Sequence, residues 1–156
     1  MYYVKAIKEG LIELGNCNLI GAFSSITTGG DSPYKRTTSF VIACSDETTA
    51  LTTGTAKVTF RMPYGYSLDS VRASLTTAAT GGTLLTVDIN EAGSTILSTK
   101  ITIDASETTS TTAATPAVIS DSALADDAQM TIDIDEIGST NPGKGLKVYL
   151  IGNKTL

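Results

Sequence analysis

Two groups of acidic and amide side chains have the residue types that could do chemistry. These residues are Asp88, Asn90 and Glu91 in one group and Asp133, Asp135 and Glu136 in the other. Carboxylate and amide oxygens are the ligands that Ca²⁺ prefers, and a pair of carboxylates is what glycoside hydrolysis requires. The sequence contains no Asp-x-Asp-x-Asp-Gly loop with a terminal Glu, which is the pattern of a calcium-binding hand.

Strand alternation accounts for the same residues without a bound ion. Val87 and Ile89 alternate with Asp88 and Asn90, and residues 130–135 repeat the pattern. One face of such a strand meets the core and the other meets water. We therefore predict solvated strand faces rather than a calcium site. A glycosidase is disfavoured because the chain has no Trp to wall a substrate cleft, and we predict that the protein is not an enzyme.

Three further motifs have a chemical interpretation and a simpler structural one. Tyr64 and Tyr66 could form a sugar-stacking platform, but an apolar lid over one end of the domain is favoured. Residues 141–145 contain Gly-Lys-Gly without the earlier Gly and following Ser or Thr of a phosphate-binding loop, which predicts a hairpin turn. Asn153 begins a glycosylation sequon, which we attribute to chance because the N-terminus shows no export signal.

The composition excludes several classes of site and partner. The 156 residues include no His, which excludes a Ser-His-Asp or Cys-His nucleophile and a His-bearing zinc site. The formal net charge of -5 argues against a nucleic-acid surface, and no apolar run approaches the roughly 20 residues of a membrane span. Cys17 and Cys44 are too few for a disulfide framework and are predicted to be buried thiols. We expect no metal and no cofactor.

The elements that must position these residues are predicted to be β strands. The chain contains 26 Thr and 15 Ser, and Thr, Val and Ile favour strands over helices. From residue 37 onward, short alternating stretches are separated by turn signals at the spacing of a sandwich. We predict an all-β fold over residues 37–156, with eight or nine strands in an antiparallel, jelly-roll-like β-sandwich.

Residues 1–36 are predicted to form an extended N-terminal arm and linker. Four apolar residues recur at a spacing that would line one face of a short helix, and they are Tyr3, Ile7, Leu11 and Leu14. Gly10 and Gly15 weaken this helical interpretation, because glycine is a poor helix former. Residues 24–33 are polar turn formers with no packing pattern, which suits a linker.

Seven segments of the chain together resemble one known type of module. They are Lys57-Val-Thr-Phe-Arg-Met-Pro-Tyr64, Val71-Arg-Ala-Ser-Leu75, Val87-Asp-Ile-Asn-Glu91, and the stretches 96–105, 111–120, 130–138 and 145–152. As a run they resemble a β-sandwich module that recurs in virion proteins of tailed bacteriophages, cyanophages included. The resemblance covers about two thirds of the chain. The module has no catalytic signature, so the resemblance implies no active-site residues.

The resemblance implies one of two settings in a phage particle. Such modules occur near the ends of long tail fibres and in small capsid cement, or decoration, proteins. A fibre protein normally has a long stalk ahead of the module, whereas about 45 residues precede it here. We therefore expect a capsid decoration protein on the surface of the virion. The alternative is a tail-fibre or other tail-associated module that binds a host-receptor glycan.

The expected partners are the major capsid protein of the same virion and further copies of this chain, as a trimer or dimer. Seven arm residues are predicted to bury against the capsid protein, and they are Tyr2, Tyr3, Val4, Ile7, Leu11, Ile12 and Leu14. The other interpretation is that these residues cover the core of their own domain. Neither nucleic acid nor a membrane is an expected partner.

Overall fold

A computed structural model describes residues 37–155 and, nearer the N-terminus, residues 5–6 and 12–13. The four N-terminal residues form strands β1 (Lys5–Ala6) and β2 (Ile12–Glu13), which pair antiparallel. The short helix considered for this region is therefore not formed at these four residues, and the extended arm over residues 1–36 stays a prediction. Gly10 lies between the two strands in the sequence, and an interior glycine costs a helix about 1 kcal/mol relative to alanine. The four apolar residues on which the helix was predicted lie outside the described residues.

Residues 37–155 form strands joined by loops and one turn of 3₁₀ helix, Ser110–Thr112. In chain order the strands are β3 (Thr38–Ala43), β4 (Gly54–Arg61), β5 (Tyr66–Ser74), β6 (Leu85–Glu91), β7 (Ser94–Thr95), β8 (Leu97–Thr99), β9 (Ile101–Ile103), β10 (Val118–Ile119), β11 (Ala123–Leu124), β12 (Gln129–Glu136) and β13 (Lys147–Lys154). Eight or nine strands were predicted, and residues 37–155 contain eleven. Six of them are long and five have only two or three residues. No helix in this part of the chain is long and apolar enough to cross a membrane.

The strands pair as one long hairpin that is rolled up on itself. β3 pairs with β13, β4 with β12, β5 with β11 and β6 with β9, so four antiparallel pairs are nested along the chain. β13 also pairs with β5, and β12 with β6. These contacts create sheet I, in the order β11-β5-β13-β3, and sheet II, in the order β4-β12-β6 with β7 and β9 beside β6. This nested arrangement is a jelly roll, which confirms the predicted all-β antiparallel sandwich.

Apolar residues alternate along the long strands and point into the space between the sheets. Met130, Ile132 and Ile134 of β12 are buried in this way, as are Val148 and Leu150 of β13. Val87 and Ile89 of β6 are buried as well, so the inward rows predicted for β6 and β12 are confirmed. Fully burying one such side chain stabilises the folded state by about 1.5–3 kcal/mol, so these rows supply most of the attraction between the sheets.

The loop between β12 and β13 crosses from sheet II to sheet I, so the hairpin turn predicted for residues 141–145 is wrong. Its backbone is bonded to neighbouring loops instead. The Gly145 N–H donates to the Asp46 carbonyl at 3.1 Å, and the Lys144 N–H donates to the Thr77 carbonyl at 3.1 Å. Gly145 has a φ of 67°, a conformation that residues with a side chain rarely adopt. The glycines of this loop therefore serve a tight corner rather than a phosphate.

Shortening a buried side chain of β12 should destabilise the sandwich far more than shortening an exposed one. Ile132 is 0% exposed, and Ile132→Ala should cost about 2–5 kcal/mol because it removes contacts and leaves a cavity. Val118, on β10, is 50% exposed, and Val118→Ala should cost less than about 0.5 kcal/mol. Urea unfolding followed by circular dichroism measures both changes. Equal losses in the two variants would contradict the assignment of Ile132 to the core.

Candidate functional site

The residues predicted to bind the capsid protein lie in the N-terminal arm. Tyr2, Tyr3, Val4, Ile7, Leu11 and Leu14 lie outside the described residues. Ile12 is in strand β2, opposite Ala6 of β1, and nothing further is described of it. The binding role of this set therefore stays a prediction, and the described part of the chain is where candidate sites can be compared with geometry.

Lys100 links two of the carboxylates that were considered as calcium ligands. Its Nζ lies 3.0 Å from Oδ2 of Asp88 and 2.6 Å from Oδ2 of Asp135. The other oxygen of Asp88 accepts hydrogen bonds from the Ile89 N–H at 2.8 Å and from the Thr95 hydroxyl at 2.6 Å. Hydrogen bonds to Asp135 and then to Asp88 raise the pKa of Lys100. The ammonium group thus occupies the position between the carboxylates where a metal cation would have to bind.

Asp133 also serves the fold. It lies opposite Asp88 in the register of β12 and β6, and like charges directly opposite each other destabilise a sheet. The Oδ1 atom of Asp133 accepts a hydrogen bond from the Ala56 N–H at 2.7 Å, and Oδ2 accepts one from the Asn90 side-chain amide at 3.1 Å. Ala56, with a φ of 48°, lies where the register of β4 against β12 is irregular. Asp133 therefore supplies a hydrogen-bond acceptor for the Ala56 N–H, at the point where the pairing of β4 with β12 is interrupted.

The last two candidate ligands are engaged in the same way. Glu91 accepts a hydrogen bond from the Ala125 N–H at 2.8 Å, and Glu136 accepts one from the Thr86 hydroxyl at 3.3 Å. Within residues 37–155, no three or more acidic or cysteine side chains are grouped as a metal site requires. The two acidic groups are thus parts of the strand framework in the described structure.

The prediction of a solvated strand face is wrong for Asp88 and Asn90, which are only 5% and 9% exposed. β7 turns back beside β6 and places Thr95 next to Asn90, and the Lys100 ammonium lies against Asp88. Asp135, near the end of β12, is exposed as predicted. The alternation within β6 could not reveal this burial, because Thr95 and Lys100, which cover these side chains, come from later parts of the chain.

The aromatic pair forms the predicted lid at one end of the sandwich. Tyr66 is fully buried, its hydroxyl donates to the Thr38 carbonyl at 2.7 Å, and its ring centre lies 5.1 Å from that of Phe40. Tyr64 is half-buried, and Nζ of Lys154 lies 4.8 Å from its ring centre. Tyr66 therefore has no free face for a sugar, and a cation already lies against Tyr64.

Cys44 and Asn153 are both buried in the sandwich. Burial raises the pKa of the Cys44 thiol to about 12, so the reactive thiolate does not form at neutral pH. Cys44 is thus the predicted buried thiol, while Cys17 lies outside the described residues. Asn153 is also buried, and its side-chain amide donates to Asp69 at 2.8 Å. The nitrogen to which a glycan would attach is already bonded, which agrees with a chance sequon.

An apolar surface on the outer face of sheet I was not predicted from the sequence. It consists of Val41, Arg72, Tyr149 and Ile151, and we call it the Val41 surface. Tyr149 lies between Val41 and Arg72 in the strand register, and Val41 is 57% exposed. Tyrosine and arginine are enriched in protein interfaces. The sequence contains a signal for the Val41 surface. Tyr149 and Ile151 make the outward-facing row of β13 apolar, and the inward-facing row of this strand is apolar too.

Residues 37–155 form a jelly-roll sandwich. The candidate catalytic and metal-binding side chains described above make hydrogen bonds or ion pairs with other residues of this sandwich. No protein-family model, no curated protein and no solved structure matches the chain. An interpretation of function therefore depends on this fold, on its exposed surfaces and on the resemblance of the seven sequence segments.

Replacing Lys100 by Met should destabilise the domain, because the buried Asp88 carboxylate then loses its cation. Leaving a buried charged group without its partner costs about 1–3 kcal/mol. Adding Asp88→Asn should recover part of the loss, since an amide oxygen still accepts from the Ile89 N–H. The raised pKa of Lys100 means that its contribution is fully present below about pH 10.4 and is lost as the pH rises further. Urea unfolding measures the free energy of unfolding of each variant. A double variant that loses the sum of the two single losses would contradict the prediction that Lys100 acts through Asp88.

Asp46 should contribute to the loss of stability in acid. Hydrogen bonds from the hydroxyl and N–H of Thr49, and then from the N–H and hydroxyl of Thr48, lower the pKa of its carboxyl. Such a group stabilises the fold above its unfolded pKa of about 3.9, and the contribution disappears as the pH falls through the folded value. Asp46→Asn should therefore lower the urea midpoint at pH 7, and this loss should shrink progressively as the pH falls below about 3.9. Asp126→Asn, at an exposed residue of another loop, is the control, and a pH-independent effect at Asp46 would contradict the assignment.

Proposed function

We propose that the chain is a structural protein of a tailed-phage virion, a capsid decoration protein that binds the major capsid protein and stabilises the shell. The observation that carries the proposal is the jelly-roll topology in a chain whose segments resemble a virion β-sandwich module. Jelly rolls occur in viral capsid domains and in lectins, and one fold serves many functions. The fold is therefore compatible with a virion, and the sequence resemblance supplies that setting.

The proposal assigns no catalytic task to the acidic residues. Asp88 is held by Lys100, and Asp133 is held by Asn90 and the Ala56 amide. Asp88 forms an ion pair and Asp133 accepts hydrogen bonds, in each case with other residues of the sandwich. Both carboxylates are therefore accounted for as structural parts of the domain. A decoration protein needs no cofactor and no metal for its task, and the proposed role is mechanical.

In the proposed mechanism the arm attaches the protein and the sandwich connects neighbouring copies. The apolar arm residues that bury against the capsid protein are Tyr2, Tyr3, Val4, Ile7, Leu11, Ile12 and Leu14. Burial of apolar area contributes about 25 cal/mol per Å². Contacts between neighbouring copies then raise the effective concentration of each arm at its binding site. Weak contacts that are repeated over the shell thereby oppose the outward pressure of the packaged DNA.

A tail-associated module that binds host glycans is the second candidate, and one groove favours it. The groove has a volume of about 860 Å³, and its lining includes Tyr64, Leu124, Asp126 and Lys154. An apolar wall with a few polar groups is typical of small-molecule sites. A sugar that stacked on Tyr64 would have to displace the Lys154 ammonium from that ring. Capsid decoration is the first candidate because it does not require this rearrangement.

Acidic substitutions in the arm should abolish binding to capsid shells that lack this chain. The variant Tyr3→Asp/Ile7→Asp/Leu11→Asp places three carboxylates in the proposed contact, where they would be buried without partners. Co-sedimentation with undecorated shells should show about one wild-type copy per capsid subunit. The triple variant should lose affinity by about 100-fold or more. Val118→Asp, in the sandwich, is the control and should bind as the wild type does.

The number of copies in the virion separates the two candidates. Quantitative mass spectrometry of purified virions gives the ratio of this chain to the major capsid protein. A ratio near unity supports capsid decoration. A few copies per particle would favour the tail and the groove beside Tyr64, and absence from the particle would contradict both candidates.

A further inference from the structure

Among the residues that the structure describes, none pairs with the outer edge of β3, which is a long strand edge. Among the described strands β3 pairs only with β13, and it is the last strand of sheet I. Its sequence, Thr-Ser-Phe-Val-Ile-Ala, has no charged residue and no proline, and its register against β13 is regular. An exposed edge of this kind is a template for pairing with another strand. The edge strands β7, β9 and β11 are only two or three residues long.

The edge of β4 in sheet II is long but protected. Lys57 and Arg61 lie on this strand and are exposed. Its pairing with β12 is irregular at Ala56, where the backbone is left-handed and the N–H donates to Asp133. Charges and bulges are devices that prevent edge strands from pairing. The contrast with β4 distinguishes β3 as the edge that is suited to a partner strand.

The apolar residues of β3 are only partly covered. Phe40 and Ile42 face the core but are half-buried, whereas Leu150 and Val148, their register partners on β13, are fully buried. On the outer face, Val41 leaves more than half of its surface exposed within the Val41 surface. Both faces of the strand therefore offer apolar area that an added strand would remove from water.

The hydrogen-bonding pattern of β3 determines how a strand can be added. The Cys44 N–H donates to the Leu146 carbonyl at 2.8 Å, on the side of β13. Because the bonding direction alternates along an antiparallel strand, Ser39, Val41 and Ala43 direct their N–H and C=O groups outward. A second antiparallel strand of the same sequence fits these groups when Val41 meets Val41 and Ser39 meets Ala43. This register forms about six backbone hydrogen bonds.

We propose that β3 is a dimerisation edge, at which two copies of this chain pair antiparallel about a two-fold axis through Val41. In this register Phe40 lies opposite Ile42 of the second copy on the core-facing side, an aromatic and β-branched pair that stabilises sheets. The strand has no charge, so self-pairing brings no like charges together although the whole chain has a net charge of -5. The interface is self-complementary, as a two-fold axis requires. The two copies of sheet I then form one continuous sheet.

Analytical ultracentrifugation of the full chain under reducing conditions tests the pairing without any capsid component. The wild type should show a concentration-dependent equilibrium between monomer and dimer. Val41→Lys and Val41→Glu each place like charges opposite each other and should raise the dissociation constant at least about tenfold. An equal mixture of these two variants should restore a dimer, because opposite charges then meet across the axis. Val118→Lys, at a similarly exposed residue of β10, should leave the wild-type constant unchanged.

A second variant tests the register directly. Residues in a hydrogen-bonded antiparallel pair have Cα atoms about 5.5 Å apart, which is within the range of a disulfide. Oxidised Val41→Cys should therefore form a covalent dimer, whereas Val118→Cys should not. Thermal melts of the variants should match the wild-type melt at low protein concentration, since Val41 is exposed in the single chain.

Three results would overturn the proposal. The first is a wild-type chain that remains monomeric at every soluble concentration. This result would mean that residues 1–36 of the same chain, or another protein, cover the edge of β3. The second is a dimer that both charged variants at Val41 leave intact, which would place the interface elsewhere. The third is a Val41→Cys chain that does not cross-link. None of these results bears on binding to the capsid protein, which the arm variants test separately.

Discussion

Nested antiparallel pairing is the constraint on which the rest of this structure depends. The innermost pair is β6 with β9, and each further pair encloses the one before it until β3 lies against β13. Rolling this hairpin into two sheets requires an apolar row on every long strand, and Ile132 and Leu150 belong to two of these rows. The same nesting makes β3, β4, β5 and β6 alternate between the sheets, and it places β12 and β13 in different sheets. Loops such as residues 141–145 therefore cross the end of the sandwich and bond to one another.

Nesting also determines which polar residues become neighbours, and the outer face of sheet II shows the consequence. Asp88 and Asp133 come to lie opposite each other in adjacent strands. The repulsion is relieved because the Lys100 ammonium bonds to Asp88 and because the amides of Asn90 and Ala56 bond to Asp133. A cluster of carboxylates that suggests a metal site in the sequence is thus a set of charges whose partners lie in sheet II or, in the case of Lys100, between β8 and β9.

The fold could be predicted from the sequence to the extent that its determinants are local. Alternation along β6 and β12 is a local pattern, and it predicted the fold class and the inward rows of these strands. The burial of Asp88 beneath Lys100, the crossing of residues 141–145 and the position of β3 at the edge of sheet I depend on which strands become neighbours, and no single stretch of sequence encodes this information. For the arm, the spacing of apolar residues suited one face of a short helix, whereas Lys5–Ala6 and Ile12–Glu13 form strands. The role of the arm in binding came from the resemblance and stays a prediction.

The position of β3 has a mechanical consequence. The chain enters the sandwich at Thr38, which lies opposite Gly152 of the last strand. A pull on Thr38 along the axis of β3 would draw this strand lengthwise along β13. The hydrogen bonds between antiparallel strands are perpendicular to the strand direction, so this force would load them together in shear instead of opening them one after another. Strand β3 is therefore suited to carry tension along its own axis without unzipping.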